Sequence, residues 1–187
     1  MAAGTANEFS IKTFASKLVG GGALASLFQA NITEAQGTLK AAIGDFSFLC
    51  KAANFPTSSI DVTEVSYMGR PFRVPGNRAA QDWTTTIYND ENFKIRNGFE
   101  NWMELISSHV SNKRASKMEG INSYSGTLNV QQMHKTGGAT KKDYVFTQAW
   151  PYTLAEITVD WDTNEMQTYD VTWAFSYWTS EESGIKA

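Results

Sequence analysis

Two histidines and one cysteine are the residues of this sequence most suited to metal binding or nucleophilic catalysis. His109 and His134 are the only histidines, and neither has a second histidine or a glutamate at the spacing that places two ligands on one helix face. A transition-metal site would have to combine distant carboxylates. Cys50 is the only cysteine, and in a predicted apolar strand it is expected to pack as a small hydrophobic residue. The sequence therefore predicts no metal site and no cofactor.

A pair of aspartates is the strongest candidate for acid-base chemistry. Asp160 and Asp162 lie two positions apart, so a strand would place both carboxyl groups on one face, where they would supply the acid and the base of glycoside hydrolysis. The same pair is also typical of a solvated strand end. The sequence has no Gly-x-Ser-x-Gly nucleophile motif. We therefore predict that the protein is not an enzyme.

Six tryptophans raise the alternative of a carbohydrate-binding β-sandwich, because exposed aromatic rings stack on sugars. Trp102, Trp161 and Trp173 fall on the apolar faces of their predicted elements, so core packing is their first explanation. The other three tryptophans fit either role; they are Trp83, Trp150 and Trp178.

The charge of the 187-residue chain is modestly negative and unevenly placed. A net charge of -3 argues against a working surface that grips a nucleic-acid backbone. Residues 70–142 carry eleven basic and six acidic side chains, whereas residues 156–182 carry seven acidic and no basic ones. The two regions are either ordinary solvated faces or complementary surfaces that attract each other between copies of the chain.

The patterning divides the chain into three parts. Residues 1–26, with three consecutive glycines at Gly20, Gly21 and Gly22, predict a flexible N-terminal arm. Residues 27–180 predict one β domain, and residues 181–187 predict a short C-terminal tail. We expect neither a secretory leader nor a membrane anchor, because no basic start precedes an apolar run and no apolar stretch approaches about 20 residues.

Alternation of apolar and polar residues predicts eight or nine strands. The predicted strands cover residues 27–33, 46–51, 60–67, 82–88, 124–134, 144–150, 157–161 and 169–177, with a returning arm that makes 61–77 a long hairpin or an extended loop. Trp150-Pro151 is expected to end its strand, and Gly137-Gly138 to lie at a flexible hairpin tip. One helix is predicted from about residue 91 to about residue 109, and its apolar stripe comprises Phe99, Trp102, Met103, Ile106 and Val110. The prediction is a mainly β fold, a sandwich or barrel with one flanking helix and an extended hairpin.

Several short motifs, in a shared order, resemble the tail tube proteins of contractile-tailed bacteriophages. The first group is FLCKA at 48–52, FP at 55–56, YMGR at 67–70, VPGNR at 74–78 and DWTTTIYNDE at 82–91. The second group is WP at 150–151, VDWD at 159–162, NEMQTYDV at 164–171 and YW at 177–178. Together the two groups cover most of residues 27–178.

The resemblance implies a structural virion protein. In this family six β-sandwich subunits close into a ring whose inner sheets form one continuous barrel, and the rings stack into a hollow tube. The implied partners are other copies of the chain, the tail sheath protein outside, the tape measure protein and then phage DNA in the lumen, and the baseplate and tail terminator at the ends. The implied location is the virion tail, assembled in the bacterial host cytoplasm. A lumen with net negative charge and small polar groups would let DNA slide without binding.

On this interpretation we hypothesise that residues 61–77, with Arg70 and Arg73, contact a neighbouring subunit or ring; the alternative is a solvent-exposed hairpin. Which sheet would face the lumen is left open by the sequence. Candidate subunit or ring contacts are Tyr67, Met68, Arg70, Arg73, Asp160, Asp162 and Glu165. Candidate lumen residues are Thr84, Thr86 and Asn129, on the polar sides of their strands. Two related alternatives share the fold: the inner tube of a phage-derived contractile injection system that carries protein cargo, and a paralogue that initiates the tube at the baseplate.

Overall fold

A computed structural model describes residues 11–79, 81–135 and 140–182. The four helices within these ranges are α1 (Ile11–Lys17), α2 (Ile43–Leu49), α3 (Lys94–Ile106) and α4 (Ile121–Tyr124). The nine strands of the described residues are β1 (Phe28–Glu34), β2 (Cys50–Ala53), β3 (Ser59–Tyr67), β4 (Arg70–Ala79), β5 (Trp83–Tyr88), β6 (Gly126–Met133), β7 (Thr140–Leu154), β8 (Thr168–Ala174) and β9 (Tyr177–Glu182). Short 3-10 turns lie at Val19–Gly21, Gly37–Ala41 and Ser116–Met118. The predicted tip at Gly137-Gly138 lies outside the described residues.

The long strand β7 belongs to two sheets and thereby builds the sandwich. Its first part pairs with β6 on one side and with β9 on the other, and β6 also pairs with β1. These four strands are called sheet A. From Trp150 onward β7 pairs with β8, which pairs with β5 and then β2. These strands are called sheet B. Gln148 has a positive φ of 57° just before β7 leaves sheet A, so the strand changes sheet at an irregular residue.

The aromatic core lies between the two sheets and the helices. Trp173 on β8 is fully buried, and its indole Nε1–H donates to Thr85 Oγ1 at 3.0 Å. Its ring packs edge-on or tilted against four others, those of Phe46, Trp83, Phe99 and Trp102. The core tryptophans predicted at 102 and 173 are confirmed. Trp83, for which both roles were open, is also buried.

Helix α3 closes the core, as predicted, but is shorter than its sequence pattern. It begins after Phe93, which has a left-handed φ of 53°, and Asp90 Oδ2 accepts the Lys94 backbone N–H at 3.1 Å. Phe99 and Trp102 are buried, as their spacing predicts. The predicted end of the stripe is wrong: Val110 is 97% exposed, because the helix ends at Ile106 and the chain turns away.

The predicted strand at 46–51 is wrong over most of its length, since residues 43–49 form α2 and only Cys50 and Lys51 are extended. The alternation of Phe46 and Phe48 resembles a strand, yet Phe46 is fully buried and Phe48 is 86% exposed. A helix buries residues three apart, and Ile43, Phe46 and Leu49 satisfy that spacing equally well. Burial of Phe46 against Phe99 and Trp173 decides in favour of the helix.

The predicted strand pair near the C-terminus is also wrong. Residues 155–167 contain no strand, and Trp161 is solvent-exposed rather than buried. The physical reason is that β8 already has β5 on one edge and β7 on the other, so no edge is left for a strand at 157–161. Pro151 does not end β7, and the 169–177 alternation is split into β8 and β9 at residues 175–176.

The start of the described chain includes α1 within the predicted N-terminal arm. None of the α1 residues is buried. The segment after α1 is held at the end of β6: Lys135 Nζ donates to Gly20 O at 2.8 Å, and Gln132 Nε2 donates to Leu24 O at 3.0 Å. Flexibility of residues 1–26 stays a prediction.

Substitution of Gly126 is expected to destabilise the sandwich. A Cβ at this position of β6 would overlap the Glu34 carbonyl oxygen and touch Trp102, so Gly126→Ala should lower the free energy of unfolding by about 1–3 kcal/mol. Gly44→Ala is the matched control, because its Cβ meets nothing in α2 and should stabilise the helix by about 0.5–1 kcal/mol. Urea unfolding monitored by tryptophan fluorescence measures both, and equal effects would contradict the packing at Gly126.

Candidate assembly surfaces

The β3–β4 hairpin is a two-stranded ribbon that the rest of the described chain leaves uncovered. It was predicted over 61–77 and is confirmed, with Tyr67 opposite Arg70 and Glu64 opposite Arg73. Every hairpin residue is exposed except Val74 and Ala79, which are half-buried. The turn uses left-handed backbone at Met68 and Gly69, with φ of 49° and 77°. An isolated two-stranded hairpin is marginally stable in water, and packing against another surface would stabilise it.

The two faces of the hairpin differ in chemistry. Because residues directly opposite each other share a face, one face carries the apolar pair Val65–Phe72, the pair Thr63–Val74, and Tyr67 opposite Arg70. The residues of this apolar face are Thr63, Val65, Tyr67, Arg70, Phe72 and Val74. Arg73 lies on the other face, where its Nε donates to Glu64 Oε1 at 2.8 Å. That ion pair is exposed and contributes little to stability.

The second surface is the acidic segment, residues 155–167. Asp160 Oδ1 accepts the Asp162 backbone N–H at 3.0 Å, which fixes a turn with Trp161 between them. Trp161 is 104% exposed. Asp160, Asp162 and Glu165 are exposed as well. The structure therefore divides the predicted contact residues between this segment and the hairpin, and places all of them where another subunit can reach them.

The predicted lumen residues are not brought together. Thr84 and Thr86 alternate with the buried Trp83, Thr85 and Ile87, so they lie on the outer face of sheet B. Asn129 alternates with the buried Leu128 and Val130, so it lies on the outer face of sheet A. The two outer faces point away from the core on opposite sides of the sandwich, and which of them faces a lumen stays a prediction.

The outer face of sheet A is rich in amides and hydroxyls. The residues that share the face of Asn129 include Gln29, Asn31, Thr127, Gln131, Asp143, Val145 and Thr147. Gln131 Nε2 donates to Asp143 Oδ2 at 3.1 Å, whereas Asn129 Oδ1 and Asp143 Oδ1 are buried without a hydrogen-bond partner. The alternation of polar and apolar residues along β6 already predicts that Gln131 lies on the polar face. The position of Asp143 beside it follows only from the pairing of β6 with β7.

Sheet A also has two open edges. Among the described residues, β1 pairs only with β6, and β9 pairs only with β7. The outward backbone donors and acceptors of both strands are therefore without a strand partner. An open edge is a template for another strand, and proteins that keep one usually cover it or pair it.

The residues considered for chemistry lie on separate parts of the described fold: Cys50 begins β2, His109 follows α3, His134 follows β6, and the aspartate pair lies in the acidic segment. No cluster of three or more metal-ligating side chains occurs in the part of the chain that the structure describes. Trp161 is the single tryptophan with its whole side chain exposed in the described ranges. The tryptophans of these ranges therefore do not form a flat row of exposed rings on which a sugar chain could stack. The described helices include none that could cross a membrane.

Cys50 is expected to be unreactive in the folded protein. Burial raises the pKa of its thiol to about 12. Its Sγ–H donates to Ala52 O at 3.5 Å. Because only the thiolate attacks disulfide reagents, modification by Ellman's reagent at pH 8 should be about 100-fold slower than in the urea-unfolded chain. The rate should rise steadily as the pH increases above 8. Equal rates for the folded and unfolded chain would contradict the burial of this thiol.

Comparison with known families gives a match over nearly the whole chain. The family model described as phage tail tube protein matches residues 5–181. The tail tube protein gp19 of Enterobacteria phage T4 is 31% identical over 135 residues, which cover 72% of this chain and 81% of that relative. The gp19 protein of Enterobacteria phage T6 is 30% identical with the same coverage.

Solved structures with similar folds come from contractile assemblies. The anti-feeding prophage cap, a tube terminating cap, has a TM-score of 0.60 at 15% identity and covers 86% of this chain and 91% of its own. The sheath-tube complex of an extracellular contractile injection system has a TM-score of 0.55 at 14% identity and covers 89% of this chain and 97% of its own. At these identities the likeness concerns the fold, and it confirms the predicted mainly β architecture.

Proposed function

Because the chain belongs to the phage tail tube protein family, we propose that it is the structural subunit of an inner tail tube, with six copies per ring and the rings stacked inside a contractile sheath. The observation that carries this proposal is the pair of open edges on sheet A. β1 of one copy and β9 of the next would continue one sheet around the ring. Closure in this way removes both edges, which explains why the subunit works as an oligomer.

The outer face of sheet A would then line the lumen. The described side chains named on this face are mainly amides and hydroxyls, and none of them is a lysine or an arginine, the residues that bind phosphates by releasing counterions. Asp143 adds negative charge to this face and repels a DNA backbone. Asn129 would face the lumen, whereas Thr84 and Thr86 would lie on the opposite side of the subunit wall. DNA passes such a surface because it is not held there.

The partners and location follow from the same role. The sheath protein would surround the tube, the tape measure protein and then DNA would occupy the lumen, and a terminator and a baseplate would close the ends. The mature location would be the virion tail, with assembly in the host cytoplasm. The work of the subunit is mechanical, and it requires no bond-breaking step.

An injection-system tube with protein cargo is the alternative use of this fold. The structural neighbours from such systems are at most 15% identical to this chain, so their similarity supports the fold and not the function. The two curated relatives at 30% and 31% identity are both phage tail tube proteins. We therefore place this chain in a phage tail.

Native mass spectrometry of the purified chain tests ring formation. The expected species has six times the chain mass of 20.7 kDa, and its share should increase with protein concentration. Larger multiples of that ring mass would represent stacked rings. A monomer that persists across the accessible concentration range would contradict the proposal.

A further inference from the structure

We propose that Trp161 of one copy packs against the apolar face of the β3–β4 hairpin of a second copy, and that this contact joins the subunits of the tube. The inference rests on the proposed function, since it needs copies of the chain to assemble. Beyond the proposed function, it identifies the surface of the second copy that contacts the hairpin and the side chain that anchors the contact.

The apolar face of the hairpin needs a partner. Phe72 is 65% exposed, and Met68 at the turn is 88% exposed. Val65 and Tyr67 on the same face are also exposed, and only Val74 at its far end is half-buried, so the described chain leaves most of this face uncovered. Contiguous exposed apolar surface of this kind marks an interaction site.

Trp161 is the matching anchor. Its side chain is fully exposed, and the Asp160 carboxylate fixes the turn that presents it. Val159 and Met166 of the same acidic segment are also exposed and extend the apolar contact. Tryptophan is enriched among the residues that dominate interfaces, and a backbone turn that is already fixed loses little freedom on binding.

Charge favours this pairing over others. The hairpin carries three arginines against two carboxylates, a net charge of +1, whereas the acidic segment carries four carboxylates and no basic residue, a net charge of -4. Arg70 lies on the apolar face beside Tyr67, so its guanidinium would meet both the Trp161 ring and the flanking carboxylates of Asp160 and Asp162. Both surfaces are exposed in one chain, so they meet only between copies.

Photo-cross-linking tests the pairing directly. Trp161 is replaced by p-benzoylphenylalanine, which keeps an aromatic ring at the turn, and the labelled chain is co-assembled with an excess of isotope-labelled unsubstituted chain. The matched control carries the same photoreactive residue at Val110, an equally exposed position after α3. Mass spectrometry of the irradiated tubes identifies which peptides are joined, and mixed isotopes identify links between copies.

We expect cross-links from position 161 to residues 59–79 of a second copy, at least several-fold above those from position 110. We also expect Trp161→Ala and Arg70→Glu each to raise the concentration needed for assembly by about tenfold, with little effect of Val110→Ala. Tubes whose cross-links from position 161 reach other segments, or no second copy, would overturn the pairing but leave the tube function intact. Failure of the unsubstituted chain to form rings or tubes would instead overturn the proposed function, and the pairing with it.

Discussion

Reversing the charges of Arg70 and Arg73 together is expected to abolish tube assembly while the chain stays folded. The two side chains lie on opposite faces of the β3–β4 hairpin, so Arg70→Glu/Arg73→Glu turns both faces acidic. Like charges brought together at an interface cost several kcal/mol, which lowers assembly by more than about a hundredfold at a fixed concentration. Sedimentation of tubes and electron microscopy of the pellet measure the loss.

The control for this variant changes the same total charge elsewhere. Lys113 and Lys117 are exposed and lie outside the hairpin and the acidic segment, so Lys113→Glu/Lys117→Glu should assemble normally. The thermal unfolding of both double variants should resemble that of the unsubstituted chain, because the Arg73–Glu64 ion pair is exposed. Unchanged tube length and yield in the arginine variant would refute the role of the hairpin in assembly.

Removal of the Trp173 side chain is expected to be the most damaging single change to the fold. Its ring contacts four other aromatic rings and it donates a buried hydrogen bond to Thr85. Trp173→Ala should reduce the free energy of unfolding by about 3–5 kcal/mol and leave Thr85 Oγ1 without this donor. Denaturant unfolding followed by far-UV circular dichroism measures the change.

The matched comparison is Trp161→Ala, the same substitution at a fully exposed position. It should leave the unfolding free energy within about 0.5 kcal/mol of the unsubstituted chain while reducing assembly. The two tryptophans thus separate stability from association. A Trp161 variant as unstable as the Trp173 variant would show that residues 155–167 are packed in the monomer.

The sheets of the sandwich were largely predictable because one face of each strand is buried. Strands β1, β5 and β6 alternate cleanly between core and surface, and their sequences carry that period of two. The hairpin was predictable from its turn and prolines rather than from burial, since it has no buried face. The resemblance to tail tube proteins added the assembly, which no single-chain pattern contains.

The errors share a physical origin in long-range packing. Phe46 and Phe48 fit a strand locally, but burial of Phe46 against Phe99 and Trp173 selects a helix. Trp161 resembles a core residue by type, yet neighbouring strands already occupy both edges of β8. The lumen residues stay a prediction, because Thr84 and Asn129 alternate with buried residues in the same way but belong to different sheets. Only the strand order shows that they face opposite sides.

Electron cryo-microscopy of the assembled chain tests the central claim most directly. We expect hollow tubes of stacked six-subunit rings, in which β1 of one copy pairs with β9 of the next. The outer face of sheet A, with Asn129, should line the lumen. Solid filaments, or a hollow tube lined by Thr84 and Thr86 of sheet B, would contradict it.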